Sequence, residues 1–373
     1  MEKQGLTQED LATIMGRAQP TISEIMRGKR LISPEIAIDL EAALNGSVQA
    51  DQLLQFQTAF QLNEARKENC GRNIRLKAKL HEEFPVAEME KRGWITKTND
   101  IAQSLKQVLA FANNSPDLDR ISPPFHCPIL ARQSATLGYL SPSSRASRAW
   151  QYRVKELSEM TPVREFDHEL FVNEGMKEIR SLAGSLRGVA QVPQTLAKYG
   201  IRFVIVQHLQ NTKLDGAATW LDEEKGKAPV IALTLRYGTI DCFWFNLAHE
   251  LQHICKRHAF SLNIDSLKGG EIADESLRSM EEEANREGAD WLISQDRLNA
   301  FVQRLNGKIS EQRILAFAEV VNVHPGILVG MLHHSKIIPY SRFVSLKVNI
   351  RKHALLGAMA DGFKLPVVKR KTA

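Results

Sequence analysis

An α+β fold dominated by helices is what this sequence predicts, and three features predict it. Two short helical patterns separated by a glycine open the chain, Leu6 to Ala12 and Gln19 to Met26 with Gly16 between them. A nearly continuous apolar run, Ile240 to Cys255, has the length of a buried helix. Ahead of it lie β-rich runs at Ile201 to Gln207 and Pro229 to Leu235, with Gly216 to Leu221 as a further strand between them. The expected architecture is an N-terminal helix-turn-helix domain followed by a larger domain of helices around a small sheet. The expected boundaries are residues 1–80 for the first domain, 81–165 for a helical and Pro/Ser-rich connecting region, 166–350 for the second domain and 351–373 for a basic tail.

In the head, Thr7 is placed as the N-cap of the first helix, whose apolar side carries Leu11 and Ile14. Gly16 breaks it, and the second helix resumes with Pro20 near its start. Ser33 and Pro34 then cap and open a third helix that runs to the stop signal Asn45-Gly46. Val48 to about Lys79 reads as one more helix. Its stripe of Leu53, Leu54, Phe56 and Phe60 is suited either to completing this domain or to pairing two subunits. Thr98 to Asn113 and Phe166 to Ala183 read as amphipathic helices, and Ser115 to Ser147, rich in Pro and Ser, as loop or linker. Ile309 to Val321 is a late helix. His333 and His334 follow in an apolar one, and Lys364 to Lys371 reads as a disordered tail.

The chemistry concentrates in Phe245-Asn246-Leu247-Ala248-His249-Glu250-Leu251-Gln252-His253, an H-E-x-x-H pattern on the apolar helix. Residues four apart share a helical face with Cβ atoms about 5 to 6 Å apart, so His249 and His253 can both reach one Zn²⁺. Glu250, beside them, can take a proton from the attacking water and later pass it to a leaving amine. A catalytic zinc takes a third protein ligand, and the run Glu281-Glu282-Glu283 offers three carboxylates. Helical spacing from Glu281 meets Ala284, Asn285, Gly288, Ala289 and Leu292, a small and apolar stripe, whereas spacing from Glu283 meets Arg286, Glu287 and Asp290. Glu281 is therefore the carboxylate aimed inward, small neighbours let its helix approach the histidine helix, and Asn285 is placed to support a ligand. Either His333 or His334 is placed to stabilise an oxyanion or simply to pack. His333 is the candidate catalytic partner.

Pro229-Val230-Ile231-Ala232-Leu233, the H-E-x-x-H segment and Glu281-x-x-Ala284-Asn285 together resemble the ImmA/IrrE-type metallo-endopeptidases, a compact gluzincin-like group. The resemblance implies a zincin-like domain, zinc held by two His and one Glu with Mn²⁺ as a substitute, and cleavage of a partner repressor. Two departures stand out. Gln252 occupies a position where Gly is common, and Glu287-Gly288 replaces the usual Phe-Ala.

At the N-terminus, Gly5-Leu6-Thr7-Gln8, Gln19-Pro20-Thr21-Ile22-Ser23-Glu24-Ile25 and Arg27-Gly28-Lys29-Arg30 resemble the phage-repressor (XRE) class of helix-turn-helix domain, and more closely the HigA-type antitoxins. In such domains the start of the second helix enters the major groove. The resemblance thus implies base-edge readers at Gln19, Thr21, Ser23 and Glu24, and phosphate contacts at Gln8, Arg27, Lys29 and Arg30. Only four residues precede Gly5, so the customary leading helix is nearly absent.

Whole-chain properties fit both halves. A net charge of +6 and pI near 9.1 permit nucleic-acid contact, and 43% apolar content is that of an ordinary globular protein. Cys70, Cys127, Cys242 and Cys255 form no C-x-x-C pair and read as reduced thiols. No signal peptide, membrane span or repeat is evident, and the family resemblance implies the cytoplasm as the compartment. The expected function is a regulator in which a homodimeric head binds a double-stranded DNA operator and a zinc peptidase body cuts a protein, either a repressor or another copy of the chain. The alternative is a HigA-like antitoxin and autorepressor whose peptidase fold serves for dimerisation or for binding a toxin.

Overall fold

Thr7 starts the first helix in the way its residue type dictates. Its hydroxyl accepts from Asp10 N at 3.1 Å while Asp10 Oδ2 accepts from Thr7 N at 2.8 Å, a reciprocal capping box. The computed structural model describes residues 5–67, 71–113, 115–121, 124, 145–210, 212, 214–222, 227–257 and 271–368, and the chain divides into two compact units, Met1–Ala78 and Lys79–Ala373.

In the first unit, α1 (Gln8–Ile14), α2 (Gln19–Met26) and α3 (Pro34–Ala43) enclose a core of Leu11, Ala12, Ile22, Ile36, Leu40 and Leu44. Gly16, at φ +60°, makes the turn that only glycine adopts freely, and Arg17 after it donates to Asp39 on α3 at 2.6 Å. Ser33 accepts from Ile36 N at 3.3 Å and so caps α3. A fourth helix, α4 (Ala50–Lys67), docks through Leu53 and through Gln57, whose side chain bonds both Ile32 N (2.7 Å) and Ile32 O (3.0 Å). Of the apolar stripe on this helix, Leu53 completes the domain, while Phe56 and Phe60 stay exposed at 74% and 66%. The single long helix expected over 48–79 is instead two, α4 and α5 (Arg72–Glu83), with Gly71 at φ +82° between them.

The second unit is built on a four-stranded sheet of order β2-β3-β1-β4, comprising β1 (Arg202–Val206), β2 (Gly216–Asp222), β3 (Lys227–Leu233) and β4 (Met359–Asp361). β1 runs parallel to β3, with Arg202 opposite Val230, and to β4, with Val206 opposite Asp361. β2 runs antiparallel to β3 with Gly216 opposite Leu233. β1 reads as an unbroken apolar run because both of its faces are covered. Phe203 and Ile205 join the main core with Ile231 and Leu233, and Val204 and Val206 are equally buried, with α8 (Arg145–Glu159) packed against the strand. Predominantly helical α+β structure with a small mixed sheet is therefore what the chain adopts.

Two parts of the expected domain plan differ in the structure. Residues 351–361, assigned by composition to a basic tail, form a helix (Arg351–Gly357) and β4. The backbone goes further, since Val368 O accepts from Arg153 Nη2 at 2.8 Å, whereas residues 369–373 lie outside the described residues. The stretch expected as a connector from residue 81 belongs to the same unit as the sheet. There α6 (Val86–Lys91), α7 (Ile101–Phe111) and α8 bury Phe84, Met89, Val108, Trp150 and Leu157. Most of the Pro/Ser-rich stretch, including Cys127, lies outside the described residues, as does Cys70. Among the described residues no single helix is long and apolar enough to cross a membrane.

Candidate metal centre and nucleic-acid interface

A 17-residue helix, α12 (Ile240–Lys256), carries the H-E-x-x-H residues through the middle of the main core, after α9 (His168–Leu170), α10 (Met176–Ser181) and α11 (Leu186–Lys198). Its length follows from Leu247, Ala248, Leu251 and Ile254, all fully buried. His249, Glu250 and His253 are buried with them at 2%, 1% and 4% exposure, as are the polar Asp241 and Gln252 of the same helix. The end of the helix is satisfied by His168, whose Nε2 donates to Cys255 O at 2.8 Å, and by a left-handed Arg257. Cys255 packs on the core, and burial pushes its thiol up to about 12.

α13 (Glu271–Leu292) lies against α12, and the small-residue stripe explains how closely. Ala284 and Leu292 are fully buried, and a Cβ added to Gly288 would come within 3.2 Å of Ala248 C and His249 N. Glu287, one of the two departures from the family pattern, pairs instead with Lys256 at 3.1 Å, as does Glu283 at 3.3 Å, tying the two helices at their edge. We expect Gly288→Val to wedge α13 away and to cost about 1–3 kcal/mol in stability. It should also loosen metal binding more than Ala284→Ser does, as measured by zinc titration. Equal affinity in the two variants would show that the close approach is irrelevant to the site.

The approach brings three donor groups together. His249 Nε2 and His253 Nε2 lie 3.0 Å apart, and Glu281 places Oε2 3.2 Å from the first and Oε1 3.4 Å from the second. All three ligand atoms fall within 4.8 Å of one another. An ion held tetrahedrally at about 2.0–2.1 Å sets its ligands about 3.3 Å apart, so these edges have the size that zinc requires. Asn285 Oδ1 accepts from His249 Nδ1 at 3.1 Å, which fixes the proton on Nδ1 and leaves the Nε2 lone pair facing the cluster. Burial alone would raise the Glu281 carboxyl. The hydrogen bonds and charge that His249 and His253 supply when protonated at Nε2, with no metal between them, outweigh it and hold the group well below the usual carboxylate range.

Glu250 faces the sheet. A Cβ on Gly216, the first residue of β2, would come within 3.0 Å of Glu250 Oε1 and 2.8 Å of Leu233 Cδ2, so only glycine leaves room for the carboxylate. Sequence reasoning missed Gly216, although a glycine opening the run Gly216-Ala217-Ala218 was a readable sign of close approach. Gln252 is buried at 7% exposure. His333 is not among the residues whose ligand atoms converge. Its Nε2 donates to Arg342 O at 2.9 Å, its ring stacks on Tyr340 at 4.9 Å, and Gly326 and Gly330 of its helix meet α12 at Ile240 and Asp241. These are contacts that a packed histidine makes, one of the two expectations for this residue. His334 ends the same helix.

In the head, Ile22 is the buried anchor of α2, at 1% exposure, and it fixes which residues the helix offers outward. Gln19 and Glu24 are exposed, Thr21, Ser23 and Gln8 are half-buried, and Arg27, Lys29 and Arg30 are exposed around Gly28 at φ +68°. Arg30 lies 3.7 Å from Glu24, a solvent-screened pair that contributes little to stability. The sequence-predicted interface residues thus gather on and just after one helix, apart from Gln8 at the start of α1.

Residues 1–50 match the helix-turn-helix family model, which makes the head an XRE-family helix-turn-helix domain, the mark of a DNA-binding regulator. No curated protein and no solved structure matches the chain.

Proposed function

Starting from that head, we propose that the chain is a transcriptional regulator whose body is a zinc-dependent endopeptidase of the ImmA/IrrE type, cutting a repressor protein or another copy of itself to relieve repression. The convergence of His249, His253 and Glu281 beside Glu250 is the observation that carries this reading. The donor set of two imidazoles and one carboxylate suits zinc and accepts manganese. When bound, the ion supplies a Lewis acid that polarises the scissile carbonyl and makes water a better nucleophile. The chain's own residues do the rest. His249 and His253 offer Nε2, Asn285 holds the His249 ring in the required tautomer, and Glu281 stays ionised. Glu250, with its carboxylate against Gly216, takes the proton of the attacking water and returns it to the leaving amine. β2 borders the sheet next to this carboxylate, so an extended peptide can add to its outer edge and present a bond to Glu250. Fragments formed with zinc or manganese by the wild type and never by Glu250→Gln are the direct test.

The head binds a double-stranded operator through α2, with Arg27, Lys29 and Arg30 on phosphates. Two half-sites call for two heads, and the exposed Phe56 and Phe60 of α4 suit a second copy of the chain. We expect a salt-dependent mobility shift on the chain's own promoter that weakens at least a hundredfold in a Thr21→Ala, Ser23→Ala, Arg27→Ala variant of unchanged melting temperature. Binding that survives the triple change would refute the assignment of α2.

The His333 ring, engaged by Arg342 O and Tyr340 as a packed histidine is, leaves room for one second reading. In it, the chain is a HigA-like antitoxin and autorepressor whose peptidase fold binds a toxin or a second copy without cutting.

A further inference from the structure

We infer that the chain from Lys79 to Ile121 is a fixed part of the body, so that only a cut before Lys79 frees the DNA-binding head. The inference rests on the self-cutting form of the proposed function, and it says where such a cut has to fall.

Composition makes the Pro/Ser-rich stretch the obvious place to sever the chain. The structure anchors the chain firmly on both sides of it. On the N-terminal side, the Arg92 guanidinium donates to Gln207 O at 2.7 Å and His208 O at 2.6 Å, just past the carboxyl end of β1. Glu88 accepts from the same guanidinium at 2.8 Å and from Gln210 N at 3.1 Å. Trp94 Nε1 donates to Asp361 Oδ1 at the end of β4, at 2.9 Å. Leu80, Phe84, Met89 and Val108 have no exposure at all. On the C-terminal side, Trp150 Nε1 donates to Val206 O at 2.9 Å, and Arg153 Nε to Asp361 Oδ2 at 2.9 Å.

The two sides also hold each other. Tyr152 packs on Phe84 and Phe111 at 6.1 and 6.0 Å between ring centres, Arg145 donates to His81 O at 2.7 Å, and Arg148 pairs with Glu83. A break between Ile121 and Arg145 therefore leaves two pieces that share Asp361 and one aromatic cluster. By contrast, Met1–Ala78 is a compact unit of its own, and Asn73, Ile74, Arg75, Lys77 and Ala78 just before the anchored chain are exposed.

The test uses the full chain in a Glu250→Gln background with a foreign, sequence-specific protease, so it is independent of the chain's own chemistry. A recognition site flanked by glycine and serine is inserted after Pro124 in one version and after Gly71 in another. Each protein is purified whole, cut to completion and run on size exclusion at low micromolar concentration. After the cut at 124 both pieces should elute together at the uncut volume, and the complex should shift operator DNA to the uncut position. Arg92→Ala with Trp94→Ala should then weaken their association at least tenfold. After the cut at 71 the head should elute alone. Co-expressing residues 1–124 with 125–373, and 1–71 with 72–373, gives the same readout if an insertion disturbs folding. Separation of the pieces after a break at 124, or retention of the head after a break at 71, would overturn the inference. Absence of cutting by the wild type would count against the proposed function and leave this result standing.

Discussion

Replacing Glu250 by Gln should abolish metal-dependent cutting, by on the order of 10²–10⁴-fold, while zinc content and melting temperature stay at the wild-type level. Glutamine keeps the shape that fits beside Gly216 and Leu233. It cannot accept the proton of the attacking water, and positioned general bases contribute rate factors of about that size. The ligand atoms belong to His249, His253 and Glu281, so the change leaves the donor cluster whole. The measurement is mass spectrometry of fragments, with zinc or manganese, from the chain itself and from repressor proteins encoded beside it. Equal cutting by the variant would remove Glu250 from the mechanism.

The second large effect is on stability. Arg153→Met should cost about 3–5 kcal/mol, because it strands a carboxylate rather than merely deleting a pair. The Arg153 and Asp361 side chains are each 2% exposed, and the guanidinium also reaches Glu156 at 2.6 Å and Val368 O. Without it Asp361 keeps only the Trp94 N–H as a side-chain donor from this network. For a unit of this size the loss corresponds to a fall in Tm on the order of 10 °C. Adding Asp361→Asn should restore most of it, since the uncompensated charge is then gone. A single variant that melts like the wild type, by calorimetry, would show that the pair carries no such weight.

The parts of the centre that lie on one helix at a time were legible in the sequence. His249, Glu250 and His253 follow from spacing, and Glu281 follows from the stripe Ala284, Gly288 and Leu292, because a helix that must approach another closely needs small residues on that face. Asn285 followed from the same periodicity and does reach His249. What local pattern could not show is contact between distant segments. Trp94, Arg153 and Asp361 meet across most of the chain's length, and none is marked by periodicity. β4 is three residues long, too short to alternate, and basic residues around it suggested a tail. The break at Gly71 was missed because an isolated glycine inside a helical pattern is often tolerated, and only its positive φ marks the interruption. His333 stayed ambiguous for a related reason: a histidine on an apolar helix looks the same in sequence whether it serves a reacting group or packs, and its bond to the Arg342 carbonyl is visible only in the fold.

The central claim is that three side chains on two helices form one metal centre. X-ray absorption at the zinc edge, combined with metal analysis of the purified full chain, tests it most directly. The account predicts one zinc per chain, bound by two imidazoles and a carboxylate oxygen at about 2.0–2.1 Å, retained in Glu250→Gln and lost in His253→Ala and Glu281→Ala. A chain that binds no stoichiometric zinc, or one whose zinc survives both His253→Ala and Glu281→Ala, would contradict it.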